Sequence, residues 1–167
     1  MNIVLIGMPG CGKSTVGVVL AKTTGHAFLD TDLLIQKREG MLLQEIIDYK
    51  GLEYFMGAEE AVLCGLDCAD TVVATGGSAV YSEAAMARLK ELGAVVYLSL
   101  TLENAEKRLV DFNSRGIAGA RDKTFAEIYA ERAPLYEKYA DFIVDCNDID
   151  LAACMDKVHR HLELAVL

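Results

Sequence analysis

The nine residues GMPGCGKST at 7–15 follow the apolar run Asn2–Ile6 and give the clearest indication of the fold. They match the pattern G-x-x-x-x-G-K-[ST] without a mismatch, and a chance match in a chain of this size is about one in a hundred or less. A helical pattern with Val16, Val19 and Leu20 leaves the stretch. Strand, glycine loop and helix in this order are typical of a phosphate-binding loop.

Each residue type in this loop has a physical reason. Glycines permit backbone angles that a Cβ would block, so that amide N–H groups point at phosphate oxygens, and a helix start adds its positive dipole end. Lys13 can reach the β- and γ-phosphates of ATP, and the Ser14 hydroxyl is placed to ligate Mg²⁺. We therefore expect ATP and Mg²⁺ to be held by the loop and the first helical turn: Gly10, Cys11, Gly12, Lys13, Ser14 and Thr15.

Short β-branched runs alternate with longer helical patterns along the whole chain. The predicted strands are Asn2–Ile6, 27–29, Thr71–Ala74, 94–98 and 141–144. The predicted helices are Lys13–Thr24, 32–49, 52–68, 82–92, Leu102–Val110, 124–140 and 149–164. This alternation predicts an α/β fold, a three-layer α/β/α sandwich around a five-stranded, mainly parallel sheet.

One stretch interrupts the alternation. Residues 111–123, DFNSRGIAGARDK, have two glycines, three basic residues and no clear period. The plainer interpretation is a surface loop; the sharper one is a lid over the site, because long loops inside compact domains are usually functional. With 167 residues, we expect a single domain over 1–167 that includes this lid loop.

Composition excludes some partners. A net charge of −9 argues against nucleic acid, because binding a phosphate backbone needs a basic face. No stretch suits a signal peptide or a membrane span, and five cysteines without framework spacing suit a reducing compartment. We expect a cytoplasmic monomer that acts on a small molecule. Because Cys11 precedes a helix start, we also expect its thiol to be the most reactive of the five.

Two aspartates follow the second predicted strand. Asp30 and Asp32 lie at the carboxyl end of that strand, where open α/β sheets bind ligands. They are therefore expected to face the phosphate loop. The alternative is that the pair is only a helix N-cap with a surface acid beside it.

With these residues in place, the chain resembles the shikimate kinase family of P-loop kinases. The resemblance covers almost the whole chain and is carried by an ordered set of motifs. These are GMPGCGKST at 7–15, LDTD at 29–32, Phe55 with Glu59, Gly76 with Gly77, the strand residues 96–98, and RAPLY at 132–136.

The resemblance implies phosphorylation of shikimate by ATP to give 3-phosphoshikimate, with a role for each matching residue. Asp30 would act near Mg²⁺, and Asp32 would bind a substrate hydroxyl and accept its proton. Backbone amides and one cation would bind the rest of the substrate: Gly76, Gly77 and Arg132. Two arginines would act on the nucleotide, Arg108 against adenine and Arg115 from the lid onto the transferring phosphate. Arg121 matches no family position and is expected to be a solvated charge.

The chain departs from the family pattern on the acceptor side. Met56 stands where the family has an arginine that binds the substrate carboxylate, and Ser78 replaces the third glycine of G-G-G. The lid pattern R-P-L-L is R-G-I-A at residues 115–118. Two alternatives therefore remain open: a kinase of the same fold for another small hydroxylated acceptor, or a nucleotide-binding module without catalysis.

Overall fold

The fold is described from a computed structural model, which describes residues 1–110, 117–118 and 122–165. Most of the predicted lid loop, with Arg115 and Arg121, lies outside these residues. The strands are β1 Asn2–Ile6, β2 Ala27–Asp30, β3 Thr71–Ala74, β4 Gly93–Ser99 and β5 Phe142–Asp145. The helices are α1 Lys13–Thr24, α2 Thr31–Glu39, α3 Leu43–Lys50, α4 Leu52–Cys64, α5 Glu83–Leu92, α6 Leu102–Val110, α7 Phe125–Tyr139 and α8 Leu151–Ala165.

The five strands form one sheet in the order β2-β3-β1-β4-β5, and every strand pair is parallel. β1 is central, with all five residues buried, and its register pairs Ile3 with Val72 on β3 and with Ala94 on β4. The predicted α/β class and five-stranded sheet are confirmed. β2 and β5 lie at the two edges and are only partly buried, whereas β1 and β3 are fully buried and β4 is buried over residues 95–98.

Alternate residues of β1 enter two different hydrophobic clusters, as the two-residue period of a strand requires. Ile3 and Leu5 pack with Val16 and Leu20 of α1 on one face of the sheet. Val4 and Ile6 pack on the opposite face against helices α5 and α7. A third hydrophobic cluster lies between helices α2, α3 and α4 and is called the α2–α4 cluster here. It consists of Ile35, Ile46, Ile47, Phe55 and Ala118.

Two predicted helices are wrong in their extent. The single helix over 32–49 is two helices, because Gly40 ends α2 in the left-handed region at φ 66° and α3 starts only at Leu43. The helix over 52–68 ends at Cys64. A short 3-10 helix, Ala79–Tyr81, follows β3 and was not predicted. In the described part of the chain, no helix combines the length and apolar character needed to cross a bilayer.

Candidate active site

The loop after β1 has the backbone that its glycines predict. Gly7, Gly10 and Gly12 have positive φ angles of 147°, 77° and 102°. A Cβ on Gly7 would lie 2.7 Å from the Leu98 carbonyl oxygen, so a larger residue there would displace the loop from β4. The N-cap of α1, Gly12, offers no side chain to the first amides of the helix. These amides therefore remain available for an anion.

Lys13 is buried inside this loop, with only 8% of its surface exposed. Its Nζ donates hydrogen bonds to the carbonyl oxygens of Gly7 at 2.8 Å and Met8 at 2.9 Å, and it lies 3.7 Å from Cys11 Sγ. The positive charge is thus held at the loop by backbone oxygens. It lies in the cleft where a phosphate group would approach the start of α1.

Cys11 is buried at 2% exposure, and its thiol packs in the core beneath the loop. Its amide donates to the Met8 carbonyl oxygen at 3.2 Å. Cys11 is absent from the residues that line the cleft, although it was predicted among the nucleotide-binding residues. The expectation that its thiol is the most reactive of the five conflicts with this burial.

The Ser14 hydroxyl donates a hydrogen bond of 2.8 Å to Asp30 Oδ2. The other oxygen of the same carboxylate, Oδ1, accepts from the Asp32 amide at 3.0 Å and makes Asp30 the N-cap of α2. Asp30 is therefore a helix cap and also faces the phosphate loop, so the two interpretations of this pair are not exclusive. One hydroxyl and one carboxylate beside a phosphate loop are oxygen ligands of the kind that Mg²⁺ prefers.

Asp32 lies deeper in the cleft, beside the glycines that follow β3. A Cβ on Gly76 would be 2.8 Å from Asp32 Oδ1 and 2.5 Å from Glu59 Oε1. Two carboxylates thus converge on Gly76, and only a glycine fits between them. The second interpretation of Asp32, a surface acid, is wrong, because this oxygen is buried.

Glu59 is 2% exposed and accepts a hydrogen bond of 2.6 Å from the Ser78 hydroxyl. Burial raises the pKa of Glu59 to about 7, helped by the negative charge of Asp32. The Ser78 hydrogen bond and the positive charges of Arg132 and Lys13 act in the opposite direction. The sequence indicated Glu59 only as part of a motif, and its burial beside Asp32 was not predicted. Its spacing of four residues from the buried Phe55 on α4 was the available signal.

Arg132 on α7 is almost completely buried, with only 1% of its surface exposed. Its guanidinium donates to the Ala118 carbonyl oxygen at 2.8 Å and to the Tyr81 hydroxyl at 3.2 Å, and lies 5.1 Å from the Tyr81 ring centre. Its Nη1 faces Gly77, where a Cβ would lie only 2.9 Å away. Tyr81 and Ala118 gave no sequence signal, since their partner is distant in the chain.

Tyr136 holds the backbone of Gly77 in place. Its hydroxyl donates a hydrogen bond of 2.6 Å to the Gly77 carbonyl oxygen, and its burial raises its pKa. The residue is fully buried against Tyr97, with ring centres 5.1 Å apart. The backbone orientation of Gly77 is therefore set by α7, the helix that also carries Arg132.

Arg108 bridges the loop to the far edge of the sheet. Its two terminal nitrogens donate to the carbonyl oxygens of Cys11 at 3.2 Å and of Cys146 at 3.0 Å. The backbone of Arg108 also approaches Gly10, where a Cβ would lie 3.7 Å from its carbonyl oxygen. The structure thus places Arg108 against the phosphate loop, while the neighbouring Leu109 lines the cleft.

Most of these site residues line one cleft of about 500 Å³, whereas Cys11, Glu59, Arg108 and Tyr136 do not. It runs from the phosphate loop past the two aspartates to the glycines after β3. Met56 is absent from its lining and packs instead against the α2–α4 cluster. The lining residues that bear on the chemistry are Gly10, Gly12, Lys13, Ser14, Thr15, Asp30, Asp32, Phe55, Thr75, Gly76, Gly77, Ser78, Ile117, Ala118 and Arg132.

The parallel sheet, the phosphate loop and the cleft define a P-loop kinase. The chain matches the family described as shikimate kinase over residues 9–163. It belongs to the shikimate kinase family. Shikimate kinase of Moorella thermoacetica is 37% identical over 164 residues, which are 97% of this chain and 94% of that protein.

Solved structures agree with this assignment. Shikimate kinase from Acinetobacter baumannii in complex with shikimate has a TM-score of 0.84 and 30% identity, over 99% of this chain and 92% of that one. Shikimate kinase from Aquifex aeolicus has a TM-score of 0.86 and 31% identity, over 100% and 99% of the two chains.

Proposed function

We propose that this protein transfers the γ-phosphoryl group of ATP to a hydroxyl group of shikimate, giving 3-phosphoshikimate. The observation that carries the proposal is the cleft that joins the phosphate loop to Asp32 and to the buried Arg132. A donor nucleotide and a small acceptor can meet there. The acceptor would approach a carboxylate for its hydroxyl and a guanidinium for its carboxylate.

The phosphate loop would bind the nucleotide. Lys13 would leave its carbonyl partners for the β- and γ-phosphates, and the first amides of α1 would hold the remaining oxygens. Ser14 and Asp30 would hold Mg²⁺, Asp30 through water. When bound, the ion would neutralise charge on the transferring phosphate. The described residues include no group of three or more His, Cys, Asp or Glu side chains that could hold a metal, so phosphate oxygens and water would supply the other ligands.

Asp32 would position the attacking hydroxyl and accept its proton as the new P–O bond forms. Arg132 would pair with the substrate carboxylate through Nη1, the nitrogen that faces Gly77. The amides of Gly76 and Gly77 would hold the substrate against the end of β3. Arg108 would contact the adenine, and Arg115 the transferring phosphate. We also propose that the protein is a monomer and is located in the cytoplasm.

A second candidate acceptor is favoured by one observation. Arg132 is the one cation on the acceptor side of the cleft among the described residues, and two carboxylates, Asp32 and Glu59, lie close to it. A small polyol without a carboxylate would suit such a pocket as well. The kinase chemistry at the phosphate loop would be unchanged.

A coupled assay of ADP release with and without shikimate tests the proposal. We expect shikimate-dependent turnover that Lys13→Ala lowers by about a hundredfold or more, with unchanged far-UV circular dichroism, because a charge is lost where negative charge develops. Asp32→Asn is expected to lower turnover far more than ATP affinity. Turnover only with other polyols would favour the second candidate. Nucleotide binding without any turnover would indicate a non-catalytic module.

A further inference from the structure

The carboxyl group of Glu59 is buried beside Gly76, and no cation of the described part of the chain is hydrogen-bonded to it. Its Oε2 accepts from Ser78, and its Oε1 has no hydrogen-bond partner among the described residues. A buried oxygen of this kind is costly unless it is satisfied or protonated. The free oxygen is the one that points at Gly76.

Asp32 approaches the same place from α2. Asp32 Oδ1 and Glu59 Oε1 both lie within 2.8 Å of the position that a Gly76 Cβ would occupy, and both oxygens are buried. Two carboxylates that share so small a buried space do not both ionise easily, and one of them keeps a proton. Gly76 places no side chain between them, because it has none.

We propose that Glu59 carries a proton in the working enzyme and donates it through Oε1 to Asp32 Oδ1. Glu59 is then a positioning residue, which fixes the carboxylate that receives the substrate hydroxyl. The inference rests on the proposed role of Asp32 but adds a residue and a protonation state to it. No bond other than this hydrogen bond forms, so the charge of the pair stays at minus one.

The surroundings of Glu59 favour this arrangement. Among the described residues, the groups that face it are Asp32 from α2, Lys13 from α1, Arg132 from α7 and the uncharged Ser78 hydroxyl after β3. Burial is the largest influence and raises the pKa of Glu59, as Asp32 also does. Asp32 lines the cleft and Glu59 does not, so the carboxylate of Asp32 is the more accessible of the two. The proton is therefore expected on the deeper carboxyl group.

The direct test needs no substrate. Side-chain carboxyl ¹³C resonances of the full chain are followed from about pH 4 to pH 9, and Glu59→Gln assigns the Glu59 signal. We expect Glu59 to titrate near neutral pH. Asp32→Asn should lower its midpoint by about one pH unit or more, because a repelling charge is replaced by a donor. Ser78→Ala should raise it. A midpoint near that of an exposed glutamate, or one that Asp32→Asn does not move, overturns the proposal.

The kinetic test uses conservative rescue. Glu59→Ala should lower kcat/KM for shikimate by about tenfold or more, whereas Glu59→Gln should restore most of it, because its amide donates permanently as a protonated acid does. The decline of the parent's kcat/KM above about pH 7 should disappear in Glu59→Gln. The matched control is Glu60→Gln, on an exposed neighbour that bonds to Ser82.

If Glu59→Gln is as impaired as Glu59→Ala while both remain folded, Glu59 acts as an anion and the proposal is wrong. If the parent does not turn over shikimate, the proposed function fails. The ¹³C titration then still decides whether Glu59 holds its proton beside Asp32.

Discussion

The Ser14 hydroxyl donates to the Asp30 carboxylate at 2.8 Å, and this bond joins the first turn of α1 to the N-cap of α2. The phosphate loop and the acceptor side of the cleft are thereby linked through one side chain. Asp30 has two separable tasks, because one oxygen caps a helix and the other faces Ser14.

Asp30→Asn separates these tasks. Asparagine is as good an N-cap as aspartate, so the thermal unfolding midpoint should change little. The lost negative charge should raise the Mg²⁺ concentration that gives half-maximal turnover by about tenfold, since a charged oxygen near the ion is replaced by a neutral one. Titration of activity with Mg²⁺ at fixed ATP measures this. Unchanged Mg²⁺ dependence would remove Asp30 from the metal site.

Glu59 should make stability depend on pH. The pKa of Glu59 is raised from 4.5 to about 7 in the folded protein, so the folded state keeps a proton that the unfolded state loses between these values. The free energy of unfolding should therefore fall as pH rises from about 4.5 to about 7, by about 3 kcal/mol from this group. Denaturant unfolding across this range measures the slope.

Glu59→Gln should flatten that slope, because it has no proton to lose, and should be more stable than the parent above about pH 7. Glu60→Gln, the exposed neighbour, should retain the slope of the parent. Equal slopes in all three proteins would show that Glu59 titrates alike in the folded and unfolded states.

The backbone of the phosphate loop could be predicted from the sequence, because this loop is local. It lies within one short segment before α1, and its glycines indicate the positive φ angles of Gly7, Gly10 and Gly12 directly. The α/β class followed from alternating periods, and family membership from the ordered motifs. Each was confirmed.

The acceptor half was less predictable, because its contacts join distant parts of the chain. The Ser78 bond to Glu59 spans 19 residues, and the Arg132 bond to Tyr81 spans 51. The split of helix 32–49 was also missed. Gly40 was the signal for this break, because glycine often ends a helix. Whether a glycine ends a helix also depends on tertiary packing, here in the α2–α4 cluster, which the local sequence does not show.

Thiol labelling should follow exposure. Cys64 is exposed at the end of α4, whereas Cys11 is 2% exposed, with its thiol packed under the phosphate loop. We expect iodoacetamide to modify Cys64 first and Cys11 much later. This order is the reverse of the one predicted from the position of Cys11 before a helix start. Peptide mass spectrometry over time measures the order. Cys64→Ser should remove the fast phase, and early labelling of Cys11 would contradict its burial.

Met56→Arg tests the acceptor side of the cleft. Met56 packs against the α2–α4 cluster, one residue after Phe55, which lines the cleft, and three residues before Glu59 on the same helix. An arginine here can turn either to a substrate carboxylate or to Glu59. A charge-assisted pair with the carboxylate is worth about 1.5–3 kcal/mol, which is roughly a ten- to a hundredfold change in binding. We therefore expect a lower KM for shikimate and an unchanged KM for ATP.

The competing outcome is a new ion pair between the arginine and Glu59. It would favour the charged form of Glu59 and lower its ¹³C titration midpoint, with little gain in shikimate affinity. Met56→Lys is the matched control, because lysine brings the charge without the bidentate geometry and should recover less of the affinity. If neither variant changes the KM for shikimate or the titration of Glu59, residue 56 does not reach the acceptor site. Arg132 alone would then bind the carboxylate among the described residues.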